Sequence, residues 1–191
     1  MYHKITKQLR KVLDEDRFEH TLGVAHTAAC LAMKYGENMN QAYLAGLLHD
    51  CAKCIDNDDK KRMCSEYGIE LTEIELQQPF LIHAKLGAYL AGKKYDVDDE
   101  EIQRAIRYHT TGRPNMSLLE EIIFVSDYIE PNRKKQPRLE QLRWECFTDL
   151  RLGILHILED ILVYLHEKDA PIDDMTQQTY DYYKKLMESG N

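Results

Sequence analysis

Apolar residues recur at every third or fourth position along most of the chain, which is the spacing of one face of an α-helix. No stretch alternates apolar and polar residues as a half-buried strand does, and no repeat or long linker divides the chain. The sequence therefore predicts an all-α fold, a single-domain irregular helical bundle over residues 1–191. Its core is expected at about 17–133, with C-terminal helices over 139–188 packing on it. Helical patterns cover residues 18–34, 40–54, 81–94, 98–110, 117–130, 139–167 and 173–187.

Capping and breaking residues mark the ends of two of these helices. Asp98, with Glu101 three residues later, is the expected N-cap of one helix, and Ser117 with Glu120 forms a capping box at the start of the next. Pro131 is expected to end that second helix, because its ring clashes with the carbonyl of the preceding turn. The helix over 40–54 carries small residues on one stripe, so a neighbouring backbone can approach it closely; they are Ala42, Ala45 and Gly46.

Composition excludes several classes of function. The formal net charge is −8, which disfavours long nucleic acid as a partner but not a small phosphorylated ligand. One basic run, residues 131–138, is interpreted as a solvated turn. No window has the apolar length of a membrane span, and the N-terminus has no signal-peptide pattern, so we expect a cytoplasmic protein without a membrane partner. Cys51 and Cys54 are interpreted as two thiols one helical turn apart rather than a redox or zinc pair.

Histidine and aspartate residues stand on the apolar faces of five successive predicted helices. A single histidine in such a place is more often a core residue bonded to a carbonyl, but four histidines and two aspartates buried together are costly without counter-charge. A divalent metal removes that cost, because neutral imidazoles and ionised carboxylates are its ligands. The candidate metal ligands are His20, His49, Asp50, His83, His109 and Asp127.

The ligand types indicate a catalytic rather than a structural centre. A carboxylate has two oxygens, so Asp50 can bridge two metal ions. No thiolate belongs to the set, which argues against structural zinc, and a mixed histidine and carboxylate set leaves coordination positions for water. His49 and Asp50 point about 100° apart on a helix, so both can serve one cluster only near a helix end or by reaching from its flanks.

These residues resemble the "H…HD…D" signature of the HD-domain metallophosphohydrolases, an all-helical superfamily that hydrolyses phosphate esters and anhydrides. The blocks "HDCAK", "HAKLGAYLA", "AIRYHTTGRPNMS" and "VSDYIEPNR" occur in order over about residues 17–133 and are similar to the bacterial YqeK family. That family is described as symmetrical diadenosine tetraphosphate hydrolases, which release two ADP. One departure is Ser126, where the family more often has alanine.

The resemblance implies two divalent metal ions. One would be held by His20, His49, Asp50 and Asp127, and the second by Asp50, His83 and His109. The family is associated with iron, while the residues themselves leave manganese and zinc open. Asp50 is therefore the first catalytic candidate, and a nucleotide, as substrate or as ADP-like or GDP-like product, is the expected partner.

Cationic and hydroxyl side chains near the ligands are candidates for substrate binding. Lys53 shares a helical face with His49 and Asp50 and could bind phosphate or protonate the leaving group; a surface lysine is the alternative. Arg113 could clamp phosphate and complete the catalytic set. Arg133 could close the phosphate channel or act only as a helix C-terminal cation. Further donors are expected in the loop after His109, from Thr110, Thr111 and Gly112.

Other functions remain open at the level of sequence. The same site could serve another phosphorylated nucleotide, as in an HD-type phosphatase or phosphodiesterase, or a metal-stabilised nucleotide sensor without turnover. The tyrosine- and methionine-rich tail "YDYYKKLM" could cover the pocket or pack on a second subunit in a homodimer.

Overall fold

The structure is a computed structural model, and it describes residues 2–190. Within that range the chain forms α-helices and no strand, which confirms the predicted all-α class. The helices are α1 (Tyr2–Leu9), α2 (Glu15–Tyr35), α3 (Met39–Leu48), α4 (Asn57–Glu66), α5 (Glu73–Gln77), α6 (Ile82–Tyr95), α7 (Glu100–Tyr108), α8 (Leu118–Ile129), α9 (Leu139–Cys146), α10 (Leu150–Glu167) and α11 (Asp174–Glu188), with a 3-10 turn at Pro79–Leu81.

Helix α3 lies at the centre of the bundle and packs against α2, α6, α7 and α8. Six of its ten residues are buried, including the predicted stripe of small residues. A Cβ added to Gly46 would lie 2.7 Å from the Cα of Ala25, so only glycine lets α2 and α3 approach this closely. Because α3 is short and central, its C-terminal end falls among four other helices.

The two helices whose N-caps were predicted, α7 and α8, both begin with a cap of the expected type, with one shift of position. Ser117 and Glu120 form the predicted capping box of α8, and α8 ends at Ile129, just before Pro131. The predicted N-cap at Asp98 is wrong by one residue, because Asp99 accepts the amides of Glu101 and Ile102 instead.

Two predicted helices are shorter than their patterns. The pattern over 40–54 ends as a helix at Leu48, and residues 49–54 form turns. The pattern over 139–167 is broken between Cys146 and Leu150, because Asp149 caps α10 by accepting the amide of Leu152. Helices α4 and α5 and the 3-10 turn, which lie between α3 and α6, were not predicted.

The two cysteines of the C-x-x-C stretch lie in different surroundings. Cys51 is buried with its thiol toward the carbonyl oxygen of Gly87, whereas Cys54 is exposed beside Asp14. Both are free thiols. As to membranes, none of the helices in residues 2–190 combines the length and the apolar character that a bilayer span requires.

Candidate metal centre and phosphate-binding site

Four histidines from four different parts of the bundle meet at the end of α3. His20 lies in the second turn of α2, and His83 in the first turn of α6. His49 and His109 each follow directly on the last residue of a helix, α3 and α7 respectively. Helix ends are where backbone carbonyls lack helical partners, and three of the four rings use such carbonyls to fix their orientation.

The Nδ1 atom of every one of these rings is hydrogen-bonded away from the cluster. Nδ1 of His49 lies 2.7 Å from the carbonyl of Gly46, Nδ1 of His83 2.5 Å from Phe80, and Nδ1 of His109 2.7 Å from Ile106. Nδ1 of His20 lies 3.0 Å from a carboxylate oxygen of Glu130. These acceptors place the proton on Nδ1, so each Nε2 carries a bare lone pair toward the interior.

The lone pairs face one another without protons between them. Nε2 of His83 lies 3.1 Å from Nε2 of His109, and both rings are buried. Two acceptor nitrogens at this distance repel unless a cation lies against them. A bound divalent ion fits that arrangement, because imidazole nitrogen is a preferred ligand of Fe, Zn, Ni and Cu.

Asp50 stands between the two pairs of histidines and divides its oxygens between them. Oδ1 lies 3.1 Å from Nε2 of His83 and 3.7 Å from Nε2 of His109. Oδ2 lies 3.4 Å from Nε2 of His49 and 3.9 Å from Nε2 of His20. With a side chain only 2% exposed, Asp50 is placed as a bridge between two adjacent ligand sets.

Asp127, in the last helical turn of α8, adds a carboxylate to the set that contains His20 and His49. Its Oδ1 lies 3.0 Å from Nε2 of His20 and 3.9 Å from Nε2 of His49. All six candidate ligands thus belong to compact, overlapping groups: His20, His49 and Asp50; His49, His109 and Asp127; Asp50, His83 and His109.

Unsatisfied buried atoms indicate that these groups fit a metal. Nε2 of His20, Nε2 of His49 and Oδ1 of Asp50 are buried, and none has a neighbour aligned for a hydrogen bond. Burying such atoms without partners costs about 1–3 kcal/mol each. The donor set, imidazole nitrogen with carboxylate oxygen and no thiolate, is that of a catalytic divalent centre.

The protonation states also suit metal ligation. Burial lowers the pKa of His49 and lowers that of His83 to about 4, so both rings are neutral at pH 7. Burial alone would raise the pKa of Asp50 and of Asp127, but the neighbouring histidines hold both well below the usual carboxyl range. These two neutral imidazoles and two ionised carboxylates are therefore ready to bind a cation. His20 differs, because burial would lower its pKa but Asp127 and Glu130 raise it.

Two of the predicted substrate-binding side chains reach the second ligand set, which consists of Asp50, His83 and His109. Nζ of Lys53 lies 3.2 Å from Nε2 of His83 and 4.0 Å from Oδ1 of Asp50. Oγ1 of Thr110 lies 3.2 Å from Nε2 of His109 and 3.4 Å from that of His83. An ammonium and a hydroxyl thus stand at the edge of the cluster, in reach of anything bound there.

Arg133 reaches the first ligand set, which consists of His20, His49, Asp50 and Asp127. Its Nη2 donates to Oδ1 of Asp127 at 2.7 Å, and its Nε donates to the backbone carbonyl of the same residue at 3.0 Å. The side chain of Arg133 is 29% exposed, so it is in part accessible to solvent.

The other three predicted binding residues make their contacts elsewhere. Arg113 donates twice to the buried carboxylate of Glu120, at 2.6 and 2.7 Å, and so braces the capping box of α8. The hydroxyl of Thr111 donates to the carbonyl of Gly112, and Gly112 has a φ of +63° and packs against Thr179 of α11. The structure therefore brings Thr110 to the cluster, while Thr111, Gly112 and Arg113 form the turn behind it.

Comparison with known proteins agrees with this geometry. The HD domain family matches residues 17–132, which contain all six candidate ligands. The chain belongs to the HD-domain family. It is 40% identical over 178 residues to a protein of Halalkalibacterium halodurans, covering 93% of this chain and 94% of that one, and 37% identical over 174 residues to a protein of Bacillus subtilis, covering 91% and 92%. Both are named symmetrical bis(5'-nucleosyl)-tetraphosphatase, which confirms the predicted resemblance.

A solved structure from Clostridium acetobutylicum shares the whole fold of this HD-domain chain. It is described as an HD superfamily hydrolase involved in NAD metabolism. The two chains superpose with a TM-score of 0.94 at 38% identity, over 97% of this chain and 98% of the other. The likeness extends beyond the HD match and includes the C-terminal helices.

Two residues of this HD centre were missed by the sequence reasoning. Nη1 of Arg17 donates to Oδ2 of Asp50 at 2.7 Å, and Glu130 orients His20. Arg17 precedes His20 by three residues and therefore shares its helical face, a signal that was available in the sequence. Burial would raise the pKa of Glu130, but the hydrogen bond from His20 lowers it, which keeps Glu130 ionised and the proton on Nδ1 of His20.

Two cavities flank the HD centre. A polar cavity of about 550 Å³ opens beside His20, and its charged lining comprises the cations Arg17, Arg133 and Lys134 and the carboxylates of Asp14, Asp16, Glu19 and Glu130. The basic run over 131–138, interpreted as a solvated turn, thus contributes two of its cations to this cavity. A smaller cavity of about 240 Å³ lies beside Thr110, on the other side of the cluster.

Proposed function

We propose that the chain is a metal-dependent hydrolase that cleaves diadenosine tetraphosphate and related dinucleoside polyphosphates symmetrically into two nucleoside diphosphates. The observation that carries the proposal is Asp50, whose two oxygens face two separate pairs of bare imidazole nitrogens. The relatives named as symmetrical tetraphosphatases, which align with more than nine tenths of this chain, support the choice of substrate.

Two divalent ions are the proposed cofactors. His20, His49, Asp50 and Asp127 would hold one ion, and Asp50, His83 and His109 would hold the other. A pair of such ions supplies an acidified water and positive charge for phosphate oxygens. The family resemblance favours iron, with manganese and zinc as the alternatives that elemental analysis of protein purified without chelator would distinguish.

The chain's own cations would position the polyphosphate. Arg17 and Arg133 line the polar cavity on the His20 side, where two guanidinium groups can take phosphate oxygens through charge-assisted hydrogen bonds. Lys53 and Thr110 stand at the opposite set, beside His83. A phosphate chain drawn across the centre would thus meet donors on both sides, and its middle would lie at the ligands.

Lys53 is the proposed proton donor to the leaving diphosphate. Its ammonium is 4.0 Å from Oδ1 of Asp50 and partly exposed, so it can contact an oxygen of a bound phosphate. Glu130 would act through His20, holding its proton on Nδ1 and its Nε2 toward the centre. Arg113 would support the site indirectly, because Glu120 occupies its guanidinium in the turn behind Thr110.

The proposed place of action is the cytoplasm, where nucleotides are found and where the five free cysteines would stay reduced. The single domain over 1–191 and the homodimer stay predictions.

Product analysis of the metal-loaded protein tests the proposed function. Diadenosine tetraphosphate should yield ADP alone, because cleavage at the middle anhydride gives equal halves. AMP and ATP as products would overturn symmetrical cleavage. If protein that carries two ions per chain showed no turnover, the alternative of a nucleotide sensor would be favoured instead.

Substitution of the bridging carboxylate makes the test specific to this site. Asp50→Ala should lose both turnover and bound metal. Asp96→Ala is the matched control, because Asp96 lies at the C-terminal end of α6 with a side chain 76% exposed, and it should keep both. Retained activity in Asp50→Ala would refute the assignment of the centre.

A further inference from the structure

The turn that follows α8 is held by an arginine that lies outside the HD match. That match ends at residue 132, and Arg143 belongs to α9. Its guanidinium donates three hydrogen bonds to backbone carbonyls of this turn: Nε to Ile129 at 2.9 Å, and Nη2 to Glu130 at 2.8 Å and to Arg133 at 3.3 Å. We infer that Arg143 is a positioning residue of the metal centre, which holds the turn where Glu130 can orient His20. The inference rests on the proposed function and deepens it.

The carbonyls that Arg143 binds are those that the end of a helix leaves without partners. Helix α8 ends at Ile129, and Pro131 has no amide hydrogen with which to continue it. The carbonyl of Glu130 accepts from Arg143 and also from the amide of Arg133, at 3.1 Å. A guanidinium also brings positive charge to the negative end of the helix dipole. Arg143 therefore fixes the direction in which the chain leaves α8.

The side chains of this turn act at the metal centre. The buried carboxylate of Glu130 lies 3.0 Å from Nδ1 of His20 through Oε1, and its Oε2 accepts the amide of Asn132 at 2.7 Å. Arg133 folds back and donates to the carboxylate of Asp127. A shift of the backbone of the turn would withdraw the acceptor from His20, and Nε2 of that ring would lose its fixed direction toward the centre.

Helix α9 is itself anchored, which allows Arg143 to act as a support. Cys146, in the last turn of α9, is fully buried, and its carbonyl accepts the hydroxyl of Tyr35 at 2.7 Å. Arg138, just before α9, donates to the carboxylate of Asp160 on α10 at 2.7 and 3.0 Å. None of these contacts involves a candidate ligand, so the support that α9 gives is independent of the metal centre.

Calorimetric titration of Mn²⁺ into the full-length protein, after a chelator has removed bound metal, tests the inference. Arg143→Ala should weaken Mn²⁺ binding by at least about tenfold, the lower end of the effect of losing a group that orients a ligand. Arg143→Lys should lose less, because an ammonium keeps the charge and can donate to one of the carbonyls.

Arg151→Ala is the matched control and should bind Mn²⁺ as wild type does. Arg151 is also an arginine that reaches α8 from the C-terminal helices, and its side chain is 52% exposed. It lies 3.5 Å from the carboxylate of Glu121, in the first turn of α8 and thus at the opposite end from Asp127.

A double variant separates positioning from a general loss of stability. Glu130→Ala removes the acceptor of His20 directly and should weaken Mn²⁺ binding by about 10–100-fold. If Arg143 acts through Glu130, Arg143→Ala should add less than about threefold to the loss in that background. A purely structural role of Arg143 would instead lower the affinity by the same factor in both backgrounds, and this result would overturn the inference.

Wild-type Mn²⁺ affinity in Arg143→Ala would overturn it as well. Urea unfolding would confirm that each variant is folded, and if Arg143→Ala fails to fold, Arg143→Gln keeps most of the side-chain volume and serves the same comparison. Mn²⁺ binding does not require turnover, so the two proposals fail separately. Failure to cleave diadenosine tetraphosphate would refute the proposed function, whereas Mn²⁺ binding that does not depend on Arg143 would refute only its positioning role.

Discussion

At the scale of single residues, the orientation of each histidine ligand is fixed by a neighbour that is not itself a ligand. Carbonyls of Gly46, Phe80 and Ile106 and the carboxylate of Glu130 take the Nδ1 protons. Without them either tautomer would be accessible, and the inward lone pairs would not be defined. The site is therefore built as much by helix ends as by histidines, and substitution of a supporting group should weaken metal binding by about 10–100-fold.

Arg17 gives a prediction at this scale. Its guanidinium lies 2.7 Å from Oδ2 of Asp50 and lines the polar cavity, so we expect it to bind a phosphate of the substrate. Arg17→Gln should raise KM for diadenosine tetraphosphate by about ten- to hundredfold, the value of a charge-assisted hydrogen bond, and Arg17→Lys by less. Steady-state kinetics at saturating metal would measure the change. Arg62→Gln is the control, since Arg62 is an exposed arginine on α4. An unchanged KM in Arg17→Gln would contradict the assignment.

At the scale of helices, the close contact of α2 with α3 sets the distance between His20 and the His49–Asp50 pair. Gly46 permits that contact and also offers its carbonyl to His49. Gly46→Ala should push α3 away from the backbone of Ala25, lower the free energy of unfolding by about 1–3 kcal/mol and weaken metal binding. Urea unfolding and metal titration would measure the two effects.

Gly92→Ala is the matched control for that change. A Cβ at Gly92, within α6, meets the side-chain amide of Gln103, which can move, rather than a backbone. Alanine is also the better helix former, so this variant should keep or gain stability. Equal losses in both variants would show that the effect is not specific to the contact between α2 and α3.

The helices also show which local signals the sequence carries. The start and the end of α8 could be predicted from the capping box of Ser117 and Glu120 and from Pro131. A cap and a proline ring both act within one helical turn, so the sequence alone contains these signals. Asp98 and Asp99 are adjacent and equally able to cap, and backbone geometry chooses Asp99. The break before Leu150 is marked by the N-cap Asp149, and the close packing of Gly153 against Cys146 across the break is a contact that a helical pattern does not contain. The same holds for Arg113, whose partner Glu120 also serves as a capping residue.

At the scale of the whole molecule, an acidic chain gathers several cations beside its candidate ligands. The chain carries a formal net charge of −8, yet Lys53 stands at the centre, and the polar cavity is lined by the cations Arg17, Arg133 and Lys134 among the carboxylates of Asp14, Asp16, Glu19 and Glu130. An acidic chain repels long nucleic acids, while a small polyphosphate can contact the cations at the site. The distribution of charge thus favours a compact anionic substrate over a polymer.

Stability of the whole metal-free fold should depend on pH through the buried imidazoles. Burial lowers the pKa of His83 to about 4, below the 6.5 of an exposed ring, so between these values the unfolded chain binds more protons than the folded one. Stability is therefore lost as pH falls from about 6.5 toward 4, by about 2 kcal/mol at pH 5 for this ring alone. His49, whose pKa is also lowered, adds to the loss. Burial alone would lower the pKa of His20, but Asp127 and Glu130 raise it, so His20 opposes the loss.

A comparison of variants isolates the contribution of His83 from these opposing terms. Urea unfolding of chelator-treated protein at pH 7 and pH 5 would give the difference in free energy for each. His83→Gln should be less stable than wild type at pH 7, because the ring is fully buried, but should lose about 2 kcal/mol less on going to pH 5. His26→Gln replaces an exposed ring on α2 and should keep the wild-type difference. If His83→Gln lost as much stability as wild type, the ring would have to be protonated in the folded chain, and it could not present the bare nitrogen that metal binding requires.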